Sequence, residues 1–543
     1  MSRDTDLQSV SLPCRLEPSK KDAKHIACAP EVYVSPLVWD GVNNSVFRPL
    51  SRVFAVDPAG EAVNVNSFDE VPDSAWFTNR LGAHPVSIEE LMRGACEPKL
   101  ILDDEHAQDG TWVIDQGKPN GASPGFRVNL PGKGKYMFKA DTKEQPERPS
   151  AASVIGAAAY HAAGFYTSCE QVVYFKPSVL KLTPGLRFEN NSGIEKAFDQ
   201  AALDRVLAVA PKRGELVRMQ ASAWLPGRLL GPFQYSGTRH DDPNDVIAHE
   251  DRRELRGGRV LAAWLHHFDA REQNSMDSWI ADDKKNADSS PGYVRHYYLD
   301  TSDSLGSEWD WDEISRRLGH SYLLDFGDIG SDFITLGTRE RPWERLHRAR
   351  GHEIFGYYGV EEFIPDAWKN EYPNPAFSRM VEHDAAWMAR ILARFTPDMV
   401  QTLAKMGEFS KPENTDYLAH VLERRLQRIL DRYLMRLSPI ADLRIEGKDR
   451  LCGTDVAARR AVRNPAGFRF LATIGEQELV VDDRGNGDFC AALPRVAPAS
   501  YLRVTLQDGV ARGRLVAHLR DLGPERGYFL AGIERPDPGA ETR

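Results

Sequence analysis

An aspartate and an asparagine, Asp269 and Asn274, stand five residues apart in L261-A-A-W-L-H-H-F-D-A-R-E-Q-N-S-M-D-S-W-I280, directly after an apolar helical stretch. A polar gap comes next, and Y293-V-R-H-Y-Y-L-D-T-S-D-S-L-G306 then ends an apolar strand on a second aspartate, Asp300. Phosphoryl transfer asks a protein mainly for positioning and charge neutralisation. An aspartate orients the attacking hydroxyl, an asparagine and a second aspartate hold magnesium, and a strand lysine holds the phosphates. The sequence offers one residue for each part: Asp269 as base, Asn274 and Asp300 as metal ligands, and Lys139 in Y136-M-F-K-A140 as the phosphate lysine. The cofactors expected are ATP and magnesium.

The elements around these residues must bring them together. D277-S-W-I-A-D-D-K-K-N-A-D-S-S-P-G-Y-V-R-H296 reads as a hairpin with a polar tip, which returns the chain so that Asn274 and Asp300 face one metal. A literal Asp-Phe-Gly occurs later, at Asp325, Phe326 and Gly327. A magnesium aspartate is expected directly after the hairpin, so Asp300 is preferred and Asp325 stands as an alternative or neighbouring ligand. In N120-G-A-S-P-G-F126, Gly121 and Gly125 are candidates for a loop whose backbone amides cover phosphates, although a hairpin turn explains the same residues.

A rival chemistry uses the histidines. His266 and His267 with Asp269, and His249 or His296, have the donor types of a metal-dependent hydrolase. Neighbouring helical residues point about 100° apart, however, which keeps both His266 and His267 from facing one ion.

Residues 1–105 read as an irregular extension with short strands such as E31-V-Y-V-S-P-L-V-W39 and R52-V-F-A-V56, and the aromatic V71-P-D-S-A-W-F-T-N-R80 reads as an anchor packed on the domain behind it. From 106 to 180 the order is strand, strand, strand, Ala-rich helix, strand. From 181 to 438 the chain is mainly helical, and Leu418, Val421, Leu422, Leu426, Ile429, Leu430 and Tyr433 share one helical face that suits a core. From 439 to 543 short apolar runs separated by turn signals suggest a β-sandwich.

Composition bounds the functional classes. With 543 residues the chain exceeds one ordinary core, so two or three units are expected. A net charge of −10, without a basic tract interleaved with aromatics, argues against nucleic acid as a main partner. The arginines of R252-R-E-L-R-G-G-R259 alternate with acids and read as a solvated or salt-bridged helix start. The six cysteines show no C-x-x-C spacing, which indicates neither a structural zinc site nor a dense disulfide framework. No integral membrane segment is read, and the sequence as written suggests a cytoplasmic protein, with export open if the true start lies elsewhere.

Taken together, Y136-M-F-K-A140, Y235-S-G-T-R-H-D-D-P-N-D-V-I-A-H-E250, R252-R-E-L-R-G257, D269-A-R-E-Q-N-S-M-D277 and W368-K-N-E-Y-P-N-P-A-F377 resemble an uncharacterised bacterial family, over roughly residues 62–435. That family is similar to the atypical protein-kinase-like superfamily of HipA-type, CotH-type and phosphatidylinositol 4-kinases. The resemblance implies an α+β fold: a two-lobed protein-kinase-like domain, here with an irregular N-terminal extension and a C-terminal β-sandwich. It implies transfer of the ATP γ-phosphate to an unknown protein or small-molecule hydroxyl. Two departures support the alternative of a pseudokinase scaffold. Ser153 stands where the family has a helix glutamate, with Asp141 or Glu147 as substitutes, and D300-T-S-D303 stands where relatives resemble Asp-Phe-Gly.

Overall fold

Alternating apolar residues form a meander of three antiparallel strands, Trp112–Gly117 (β1), Gly125–Leu130 (β2) and Gly134–Lys139 (β3). In the computed structural model their buried face carries Trp112, Ile114, Phe126, Val128, Tyr136 and Phe138. The model describes residues 7–17, 25–51, 60–104, 106–118, 123–189, 195–462, 469–495 and 499–538. Gly121 and the strand expected at 52–56 lie outside the described residues.

The Ala-rich helix Arg148–Ala163 (α1) is buried almost throughout, which small side chains permit without excluding its neighbours. It is followed by Glu170–Phe175 (β4) and, after a longer excursion, Leu216–Ala223 (β5). β5 pairs with both β3 and β4, so the sheet order is β4-β5-β3-β2-β1, and Leu180–Leu182 joins β1 in parallel. The sheet therefore draws in residues beyond the boundary expected at 180. Periodicity alone could not assign β5 to it, because the pairing spans 77 residues from Lys139 to Leu216 in sequence.

The mainly helical middle holds Arg253–Leu265 (α2), Phe326–Thr335 (α3), Glu382–Leu392 (α4) and Pro412–Tyr433 (α5). The expected α5 stripe, Leu418 to Tyr433, is buried in one core with Trp264 and Trp387. Between α2 and α3 the hairpin Ser275–Ala281 (β6) and Gly292–Tyr298 (β7) forms with Ser275 opposite Tyr298. The α2 arginines correct the solvated reading. Arg252, Arg253 and Arg256 are buried, and Arg253 pairs with Asp69 and Asp384, Arg256 with Asp251. Acids both near in sequence, Asp251 and Glu254, and distant, Asp69 and Asp384, neutralise them, which is the salt-bridged form of the expected helix start.

After α5, one antiparallel sheet of four strands and one of five share a core that includes Ile440, Leu451, Phe489, Val504, Leu519 and Leu530. All six cysteines are paired, Cys14 with Cys28, Cys96 with Cys169, and Cys452 with Cys490. Strand register makes the last pair, since Cys452 and Cys490 face each other across two strands. This corrects the cysteine reading from spacing alone. In the extension, Leu37–Val42 is helical where a strand was expected. Trp76 stacks on His296 with ring centroids 3.5 Å apart, consistent with the expected anchor role. Among the described residues no helix is long and apolar enough to cross a membrane.

Candidate functional site

α2 ends at His266, which takes a left-handed conformation (φ 59°) and turns the chain into the Asp269 loop. Asn274 closes that loop: its Nδ2 donates to the Asp269 main-chain carbonyl at 2.8 Å and to Asp269 Oδ2 at 2.6 Å. The hairpin then returns the chain, and the Leu299 N–H donates to the Asn274 carbonyl at 2.9 Å. Asn274 and Asp300 are thereby brought to neighbouring positions, as the hairpin reading anticipated. Asp300 is left-handed (φ 48°), and its partly open carboxylate accepts from Ser302 at 2.6 Å and pairs with Lys139 Nζ at 2.8 Å.

A third carboxylate belongs to this group. Asp303 stands one turn beyond Asp300 and lies within hydrogen-bonding reach of Asp269. Burial first, and then the carboxylates of Asp303 and Asp300, push the Asp269 carboxyl far above the ordinary range, although Arg271 pulls the other way. Its Oδ1 is buried with no hydrogen-bond partner, 3.3 Å from His267 Nε2. Burial would likewise raise Asp300, but Lys139, Ser302 and Lys118 outweigh it and hold that carboxyl well below its usual range. One aspartate is therefore held ionised, and its neighbour is driven to keep a proton. A divalent cation among these oxygens would relieve that conflict, and an all-oxygen donor set suits magnesium or manganese.

Lys139 has partners that sequence reasoning missed. Glu170 at the start of β4 is half-buried and accepts from Ser168 at 2.5 Å, Ser222 at 2.5 Å and Gln220 at 2.8 Å. Burial raises its carboxyl, and those hydroxyls, Lys139 and Gln220 oppose the rise. Lys139 is itself held above its ordinary value because Asp300, Glu170 and Asp303 outweigh the effect of burial. The ion pair that Lys139 makes is with Asp300, and the hydroxyl of Ser153 has no hydrogen-bond partner. The two suggested substitutes are engaged elsewhere. Asp141 accepts from Ser150 N and Oγ at 2.7 and 2.8 Å, and Glu147 accepts from Ser410.

α1 fixes the Asp300 loop from behind. Arg148 donates to the carbonyls of Ser302 and Ser304 at 2.7 and 2.8 Å, and Thr301 Oγ1 donates to Ala152 and Ser153 carbonyls at 3.2 Å. Gly156 makes this approach possible, since a Cβ there would lie 2.3 Å from Thr301 Oγ1. On the outer side the extension grips the Asp269 loop. Glu272 accepts from Ser35 at 2.7 Å and Tyr33 at 3.2 Å, while Asp40 accepts from Tyr372 at 2.5 Å.

The remaining candidates lie apart. Asp325 caps α3 by accepting from Gly327 and Asp328 N–H at 3.1 and 3.2 Å, and it pairs with Lys369 at 2.5 Å. Its Asp-Phe-Gly is thus a helix start, and among the described residues no hydrogen bond or ion pair joins Asp325 to Asp269, Asp300 or Asp303. Gly125 faces Lys139 across β2 and β3. His267 is hydrogen-bonded to Tyr160 at 2.9 Å and is held by burial down to about 4, while His266 lines a different cavity beside His320 and Trp343. His249 and His296 pair with Asp245 and Asp277, each at 2.6 Å. These pairings leave the hydrolase donor set dispersed.

No protein-family model and no curated protein matches this chain. Two solved structures show a weak likeness. One is a Golgi casein kinase, with 9% identity and a TM-score of 0.27, covering 64% of this chain and 76% of that one. The other is the Golgi casein kinase with Mn/ADP bound, at 11% and 0.23, covering 75% of this chain and 93% of that one. Both are Golgi casein kinases rather than HipA-type, CotH-type or phosphatidylinositol 4-kinases. At these scores the likeness carries no argument about this chain, and its function has to be argued from its own residues.

Proposed function

We propose that the cleft is a phosphotransfer centre using ATP and a divalent cation, magnesium in the simplest case. The acceptor is a hydroxyl of an unidentified protein or small molecule. The observation that carries this reading is the meeting of Asp269, Asp300 and Asp303 beside Lys139, with Asp269 Oδ1 buried and making no hydrogen bond, 3.3 Å from His267 Nε2. In this reading Asp300, Asp303 and Asn274 would hold the cation, which when bound supplies charge neutralisation at the phosphates. Lys139, steadied by Glu170, holds the phosphate chain. Asp269, oriented by Asn274, accepts the acceptor's proton once the cation has brought its carboxyl to the ionised form.

The same reading divides the chain into an extension (1–105), a smaller lobe centred on the sheet (106–180, joined by β5), a larger helical lobe (181–438) and a β-sandwich (439–543). The three disulfides support folding in an oxidising compartment rather than the cytoplasm.

Calorimetric titration of ATP with and without magnesium tests the reading on wild type, Asp300→Ala and Asp303→Asn. Magnesium-dependent binding that both substitutions abolish is the expected result, and absence of binding by wild type sinks it. Binding with no transfer to any acceptor or to water would identify the pseudokinase alternative, a scaffold that keeps the nucleotide site.

A further inference from the structure

Lys118 is a lysine at this site to which the phosphotransfer scheme assigns no part. It follows β1, and its main-chain N–H donates to the Gly125 carbonyl at 3.0 Å. Gly125 in turn faces Lys139 in the β2–β3 register. Residues directly opposite in antiparallel strands project to the same face, so Lys118, Gly125 and Lys139 form one row across three strands. The adjacent row, Gly117, Phe126 and Phe138, is buried on the apolar face. The lysines therefore project from the other face, where Lys139 meets Asp300.

The row reads cation, gap, cation, because its middle member has no side chain. Neighbouring strands lie about 4.8 Å apart, which puts the two lysine backbones roughly 10 Å from each other, and between them only glycine fits, since a Cβ at Gly125 would lie 2.2 Å from the Phe138 carbonyl oxygen. Lys118 Nζ donates to the Ser123 carbonyl at 2.7 Å, and it forms no ion pair among the described residues. Its ammonium feels Lys139 as well as Asp300 and Asp303, and burial followed by Lys139 holds it down to about 8. A half-enclosed ammonium facing a second one is costly unless an anion joins them. A ligand with negative charge spread over several linked groups satisfies both lysines at once.

We propose that Lys118 and Lys139 grip a polyphosphate chain from its two sides, so that the site selects nucleoside di- and triphosphates over monophosphates. This deepens the phosphotransfer reading and rests on it. Lys118 contributes the second positive charge beside Lys139.

The test is equilibrium binding of ATP, ADP, AMP and inorganic tripolyphosphate, each with magnesium, to wild type, Lys118→Met and Lys118→Arg. Loss of one charged contact predicts that Lys118→Met weakens ATP, ADP and tripolyphosphate about 10- to 100-fold and leaves AMP unchanged, with Lys118→Arg recovering most of the loss. Thermal melting confirms that the variants are folded, and Lys118→Gln replaces the methionine variant if that one is not. Wild-type affinity for ATP in the folded uncharged variant overturns the clamp while leaving phosphotransfer standing. An equal loss on AMP does the same, because it would make Lys118 a general support. Failure of wild type to bind any of the four ligands overturns both.

Discussion

Asp269→Asn is the perturbation whose sign the structure sets most sharply. The side chain is 3% exposed, its Oδ2 accepts from Asn274, and its Oδ1 has no partner. Burial, Asp303 and Asp300 all favour the protonated carboxyl, so the folded protein keeps a proton that the unfolded chain releases near pH 3.9, about the ordinary value. Between that pH and the raised folded value the native state binds more protons than the unfolded state. Stability must therefore fall as pH rises through the window, by about 1.4 kcal/mol per pH unit for one group. Through that window this one carboxyl removes stability at up to about 1.4 kcal/mol per pH unit, set against the ~5–15 kcal/mol by which domains are stable. Asparagine is neutral throughout and keeps an oxygen for Asn274. The variant's stability curve, measured by urea unfolding in chelator across that range, is expected to be flatter by that amount. Magnesium at about 100 times its Kd should then add about 2.7 kcal/mol to wild type near neutral pH and little to the variant. Parallel pH curves for the two proteins would refute the reasoning, since they would mean that Asp300 and Asp303 do not crowd this carboxyl.

Gly156→Ala places a Cβ 2.3 Å from Thr301 Oγ1, so overpacking of about 1–3 kcal/mol should exceed the ~1 kcal/mol gained in helix propensity. A lower melting temperature with weaker nucleotide binding is expected, both partly restored by adding Thr301→Gly; a melting temperature at or above wild type would show that the approach is looser. Asp325→Ala removes a helix cap and an ion pair and should cost about 1–2 kcal/mol while leaving magnesium affinity intact. Loss of magnesium binding in that variant, but not in Asp303→Asn, would move the metal to the Asp-Phe-Gly. Thiol titration of the denatured, unreduced protein should find no free cysteine, and serines at Cys96 and Cys169 should remove about 2–5 kcal/mol measured by denaturant unfolding. Reactive thiols in the untreated protein would count against the pairing.

Much of the local architecture could be read from residue types because local rules govern it. Alternation marks β1 to β4, alanine content marks α1, and the α5 stripe matches its buried face. The hairpin that carries Asn274 back toward Asp300 follows from an apolar run, a polar tip and a second apolar run. Tertiary pairing is a different kind of information. β5 joins β3 and β4 across a long excursion, and Cys452 meets Cys490 through strand register, so neither leaves a mark in nearby spacing. The extension reads as packing on the domain behind it, but nothing in Ser35 or Asp40 announces that they reach the Asp269 loop through Glu272, Tyr372 and Gln273.

The same distinction explains why the two apparent departures in the motifs weigh less in three dimensions. Ser153 reads as a lost partner for Lys139 only if the partner must come from the helix. Lys139 pairs with Asp300 instead, and Glu170 on the strand after the helix adds negative charge to its surroundings, its carboxylate held by two hydroxyls and an amide. In D300-T-S-D303 the absent phenylalanine and glycine are matched by other means of fixing the loop: Ser302 binds Asp300, Thr301 meets α1 at Gly156, and Arg148 holds the Ser302 and Ser304 carbonyls. The fourth residue of that run then supplies the carboxylate that presses on Asp269. Bonded alternatives of this kind keep a charge pattern of the sort phosphoryl transfer needs, and that is the ground on which the proposed function favours an active centre over a scaffold.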